Sequence, residues 1–122
     1  MLNKKELKKR YKQTMTAMGI YQIKNTMNGK IFIGSAKDLH GIINSNKFQL
    51  KNGSHFNKEM QNDYNQFGED KFVFEVLDYL KPKEDQNYDY SEELKVLEEM
   101  WLEKLLPYNE KGYNKRRGIK SI

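Results

Sequence analysis

The stretch MGIYQIKNTMNGKIFIGSA, residues 18–36, admits few structures. Two runs rich in β-branched and aromatic residues flank Asn28-Gly29, the pair that best supplies two positive φ values for a type I′ turn. The segment reads as a β-hairpin in which Asn25 opposes Phe32 and Ile23 opposes Gly34. Side chains alternate along a strand, so Tyr21 shares a face with Phe32, while Ile20, Ile31 and Ile33 share the other.

The rest of the chain supplies cover for that hairpin. Residues 3–13 read as a short basic helix, and Asp38 caps a short helix running to about Asn44. GSHFNKEMQNDYNQFG is a clearer helix. Ser54 is its N-cap, Phe56, Met60 and Tyr64 form its apolar face, and Gly68 is its stop. KFVFEVLDYL is a strand, ended by Pro82. DYSEELKVLEEMWLEKLLP is the strongest helix, with a capping box from Asp89 to Glu92 and Pro107 at its close. The order α-ββ-α-α-β-α means an α/β or α+β fold, a small, mainly antiparallel sheet covered by helices. A chain of 122 residues suits one domain with a real core.

Cysteine is absent, which excludes disulfides, thiolate metal sites and thiol nucleophiles. No apolar run approaches membrane length, and MLNKKELKKRYKQ has no signal-like apolar segment. The expectation is a soluble cytoplasmic protein with no membrane partner. The net charge of +5 favours a polyanion. Positive charge gathers in KKELKKRYK and KGYNKRRGIK, and negative charge in KPKEDQNYDYSEE. The arginines are Arg10, Arg116 and Arg117, so the central region has none.

One carboxylate stands on the wrong side of its helix. At about 100° per residue, Leu94, Leu97, Trp101 and Leu105 form one stripe, with Glu98 in its middle and Glu92, Glu99 and Glu103 opposite. An unpaired ionised carboxylate is expensive to bury. Glu98 therefore needs a lysine, a hydroxyl or amide network, or a metal ion, unless it reaches out at the rim of a partly buried stripe.

These residues resemble the GIY-YIG nuclease family. The first motif stands intact as Gly19-Ile20-Tyr21. The second appears as Phe32-Ile33-Gly34, with phenylalanine for the usual first tyrosine. GSAKDL follows, Glu98 lies three residues before Trp101, His55 falls near a histidine of the intron-homing members, and KGYN ends at Asn114. The resemblance covers roughly residues 18–115. It divides the chain into a basic N-terminal helical extension, 1–17, a GIY-YIG-like domain, 18–115, and a basic tail, 116–122.

The resemblance implies a three-stranded antiparallel sheet flanked by helices, and hydrolysis of DNA with one Mg²⁺ or Mn²⁺. It implies that Tyr21 helps deprotonate the attacking water and that Glu98 holds the metal. Phe32, Gly34, His55 and Asn114 complete the implied site. The family's helix arginine, which binds the phosphate, maps to Ile42, and a further basic or histidine position maps to Asn46. Lys37 and Lys47 are the nearby substitutes, without arginine's planar fork. Losing one charge-stabilising group typically costs about 10²–10³-fold in rate, so weak cleavage is expected. The pattern resembles a divergent bacterial branch, stand-alone or attached to transcription regulators. Arg116 and Arg117, with Lys37 and Lys47, are the candidate nucleic-acid contacts.

Each residue also has a plainer reading. Tyr21 suits a core position, Gly34 a strand exit, His55 a first helical turn, and Asn114 a cap for the tail. The rival functions are a non-catalytic nucleic-acid-binding or regulatory domain on the same fold, and a protein-interaction module using the acidic loop.

Overall fold

The computed structural model describes residues 17–84 and 87–116. The helix expected over 3–13, and the tail from Arg117 onward, lie outside the described residues. Strands β1 (Met18–Asn25), β2 (Ile31–Ala36) and β3 (Phe72–Leu80) form an antiparallel sheet in the order β2-β1-β3. The helices described are α1 (Leu39–Asn52), α2 (Lys58–Phe67) and α3 (Ser91–Leu105). None is long and apolar enough to cross a membrane.

The hairpin forms, but its register differs from the expected one by two residues. Ile23 opposes Phe32 and Tyr21 opposes Gly34. The type I′ turn fails because Asn28 does not take a positive φ, while Gly29 does, at 80°. The loop closes earlier instead. Asn25 N donates to Lys30 O at 2.9 Å, and Asn25 Oδ1 accepts from Met27 N at 2.9 Å, an Asx turn that begins the reversal. Thr26 then donates through both N and Oγ1 to Lys71 O, tying the loop to the start of β3. A slip of two preserves every face, because side chains repeat every two residues.

Three helix boundaries also move. Asp38 caps α1 as expected, accepting from Gly41 N at 3.0 Å, but the helix continues to Asn52 and stops at Gly53, φ 76°. Ser54 is not the next N-cap. Asn57 is, accepting from Met60 N at 3.0 Å, and Phe56 sits in the turn before α2, 67% exposed. The Asp89–Glu92 capping box does not form. Asp89 Oδ1 accepts from Ser91 N and Ser91 Oγ, so it holds a turn one residue ahead of the N-cap Tyr90.

The two faces of the sheet have different cover. Tyr21, Ile23, Phe32 and Phe72 meet Leu39 and Leu50 of α1 and Met60 of α2 in one core cluster. On the other face α3 packs across β1 and β2, above buried Ile20 and Ile33. Between β1 and β3 the register breaks at Ile20/Tyr21. There Gly19 takes φ 154°, and a Cβ on it would lie 2.0 Å from Asp78 O.

Tyr113 closes the core from the far end of the chain. Its hydroxyl donates to Asp63 Oδ2 at 2.7 Å and accepts from Asn25 Nδ2 at 3.0 Å. Burial, and then Asp63, push this hydroxyl well above the ordinary tyrosine range, although Asn25 opposes them. A folded-state pKa above the unfolded value of about 10 means the unfolded chain binds fewer protons once that pH is passed. Stability is therefore full below about pH 10 and falls as pH rises beyond it. Urea titrations from neutral pH upward should show this loss, and Tyr113→Phe should flatten it while lowering stability at neutral pH.

Candidate active site

Tyr21 and Gly34 oppose each other directly. A Cβ at position 34 would lie 2.5 Å from the Tyr21 hydroxyl oxygen, so the tyrosine ring lies across the space that Gly34 leaves. The glycine of the second motif is thus a steric seat for the tyrosine of the first.

Behind Tyr21 stands a buried polar chain. Asn57 N donates to His55 Nδ1 at 3.0 Å, which leaves Nε2–H to donate to Asn46 Oδ1 at 2.5 Å. Asn46 Nδ2 donates to Ile42 O at 2.8 Å, and the Asn46 side chain also hydrogen-bonds the Tyr21 hydroxyl. Burial holds His55 below the ordinary histidine range, so the ring is neutral. His55 orients Asn46, and Asn46 orients Tyr21. Burial pushes the Tyr21 hydroxyl upward, Asn46 lowers it, and the Glu98 carboxylate adds to the rise.

Glu98 reaches the same place from the opposite face. The stripe containing it does turn toward the sheet, with Leu94 buried and Leu97, Glu98, Trp101 and Leu105 half-buried. Its partners include Ser35, whose Oγ donates to Glu98 Oε1 at 2.6 Å. One turn along, Trp101 Nε1 donates to Asp78 Oδ2 at 2.9 Å, so α3 is fastened to both outer strands.

Asn114 accepts from Ile33 N at 2.9 Å and donates to Ile33 O at 2.8 Å. Its side chain thereby runs beside β2 as a short piece of strand would. The result is a cavity of about 380 Å³ lined by Tyr21, Gly34, Ser35, Glu98 and Asn114, with Phe32 and Phe56 in its wall. Residues from both faces of β2 line it, so it wraps the outer edge of the sheet. A second cavity, about 610 Å³, shares Ser35, Glu98 and Tyr108 with it and is bordered by Arg116.

The structure therefore brings Tyr21, Phe32, Gly34, Glu98 and Asn114 together and sets His55 behind them. Lys37 and Lys47 line neither cavity. Lys37 Nζ lies 3.7 Å from Asp89, and Lys47 Nζ sits 5.2 Å above the Phe74 ring. Ile42 packs against the core cluster. Arg117 lies outside the described residues. Among the residues missed from sequence, Ser35 had a usable signal: alternation from Ile33 puts it on the face that the Glu98 helix covers. Asn46, one turn beyond Ile42, is a position that the family resemblance already marks. Tyr108 and Lys115 carried no local mark.

No family model matches the chain. Over 50 residues, 41% of this chain, it is 42% identical to intron-associated endonuclease 1 of Enterobacteria phage T4, and the match spans 20% of that protein. The solved catalytic domain of homing endonuclease I-TevI is 29% identical, with a TM-score of 0.64 over 81% of this chain and 98% of that one. A variant of that domain with one glutamate changed to alanine is 27% identical, with a TM-score of 0.67 over 84% of this chain and 97% of that one. The likeness runs through most of the chain and gives it the fold of the I-TevI catalytic domain, in agreement with the GIY-YIG resemblance of the two motifs seated against each other in the hairpin.

Proposed function

We propose that the cleft hydrolyses DNA phosphodiester bonds with the help of one divalent cation. The observation that carries this is the meeting of Tyr21 and Glu98, from opposite faces of the sheet, in one cavity at its edge. Among the described residues no group of three or more His, Cys, Asp or Glu could hold a metal. The donor set is one carboxylate beside a hydroxyl, which fits Mg²⁺ or Mn²⁺, ions that keep several waters and take few protein ligands. Glu98 would hold the ion, which supplies Lewis-acid polarisation of a phosphate oxygen when bound.

The chain's own groups do the rest. Tyr21 is protonated at neutral pH like any tyrosine, and burial and Glu98 push its hydroxyl further from ionising. As the Tyr21 hydroxyl takes a proton from the attacking water it gives its own proton to an oxygen of the substrate phosphate, so no phenolate forms. Asn46 fixes the direction of that hydroxyl, and Ser35 orients Glu98. DNA is the partner, held through its phosphate backbone, so binding should weaken steeply with added salt.

The test is nicking of supercoiled plasmid. Nicking is expected with Mg²⁺ or Mn²⁺, none after chelation, and background only for Glu98→Ala. Wild type that leaves the plasmid intact with either metal would sink the hydrolytic reading. Ile42 and Phe32, each apolar where the family carries a polar group, favour a second reading, a domain that binds DNA without cutting it. Salt-sensitive retention of DNA without nicking would establish that one instead.

A further inference from the structure

Phosphate chemistry in this cleft needs a preorganised cation, and the position on α1 where the family places one holds Ile42. We propose that Arg116, from the segment that follows Asn114, supplies that charge in place of the helix arginine. The proposal rests on the hydrolytic reading above.

Arg116 is the one arginine among the described residues, and it borders the cavity that Glu98 and Ser35 line. Its guanidinium lies 4.2 Å above the ring of Tyr108, which lines both cavities. A guanidinium over a ring face is attracted to it and keeps outward N–H donors available for a two-pronged grip on an anion. The backbone is fixed as well. Two residues earlier, Asn114 is held to both polar groups of the Ile33 peptide. Between them, Lys115 lines the smaller cavity with Tyr21 and Glu98.

Charge balance in the larger cavity, which adjoins the cleft at Ser35, Glu98 and Tyr108, points the same way. Glu98, Glu99 and Glu103 all line the larger cavity, against Lys95 and Arg116. A phosphate entering there meets three carboxylates, so a fixed cation is needed for it to approach. Lys37 and Lys47 do not serve, since one faces Asp89 and the other lies over Phe74.

The test compares single-turnover nicking at saturating DNA for the wild type, Arg116→Ala and Arg116→Lys. Arg116 is exposed, so the variants should fold, which circular dichroism checks. Arg116→Ala is expected to slow the step by roughly 10²–10³-fold, as loss of one charge-stabilising group does. Arg116→Lys should fall between, keeping the charge without the fork. Ile42→Arg in the Arg116→Ala background should recover part of the rate if it folds. A wild type that nicks, with Arg116→Ala equally fast, overturns the proposal and leaves the hydrolytic reading standing. A loss that vanishes at saturating DNA also overturns it, because Arg116 would then be a binding contact alone. A wild type that does not nick with either metal overturns both.

Discussion

Gly19→Ala is expected to destabilise the fold by roughly 2–6 kcal/mol, combining about 1–3 for a backbone conformation that side chains avoid with a similar overpacking cost. The reason lies at the break in register between β1 and β3. There the backbone of Asp78 comes so close that an added Cβ would sit 2.0 Å from its carbonyl oxygen. The neighbouring atoms are backbone and cannot turn aside, and φ 154° suits glycine alone. Against a total stability of about 5–15 kcal/mol, this is a large share. Urea unfolding followed by circular dichroism measures it. A midpoint close to that of the wild type would show that β3 can move away, and would contradict the tight approach at Asp78.

Gly34→Ala should fail differently. Here the obstructing atoms belong to a side chain, the end of the Tyr21 ring, with the hydroxyl 2.5 Å from the added Cβ. The ring must shift and carry the hydroxyl away from Asn46. Stability should drop by about 1–3 kcal/mol, as overpacked cores do. Nicking should drop by about 10²-fold, the typical price of a misplacement near 1 Å. The comparison with Tyr21→Phe makes the argument specific. If Gly34 matters because it seats the Tyr21 hydroxyl, Tyr21→Phe and Gly34→Ala should not multiply, and the double variant should be about as slow as the slower single one. Fully multiplied losses would mean that Gly34 serves the reaction in some way independent of Tyr21.

Much of this arrangement is legible in the sequence, and the parts that are not share a cause. The two hairpin faces survive a wrong turn type because the alternation of side chains is insensitive to a slip of two residues. Asp38 marks its helix start by a local side-chain contact, and so does the Asn57 that Ser54 was mistaken for. Both are polar residues just ahead of a helix, and only the packing of His55 and Gln61 decides between them, since His55 N donates to Gln61 Oε1 at 3.0 Å. Glu98 stood out because a carboxylate in an apolar stripe needs a partner. The identity of that partner, Ser35, depends on how α3 crosses the sheet, a contact spanning 63 residues. Lys37 and Lys47 are close in sequence to the missing arginine, yet Lys37 lies ahead of α1 beside Asp89 and Lys47 lies over Phe74, while Arg116, far away in sequence, borders the larger cavity that adjoins the cleft.

The clamp between Asn114 and Ile33 has a consequence beyond the cleft. Strand β2 ends the sheet, and its outward-facing peptide groups are the kind that recruit strands from other molecules. Here Ile31 O accepts from Tyr113 N at 2.9 Å, and both polar groups of the Ile33 peptide are taken by the Asn114 amide. The chain thus occupies its own docking line with a segment too irregular to extend the sheet further. Replacing Asn114 by alanine would bare the Ile33 groups on that line, and the expected damage is self-association through the exposed edge of β2.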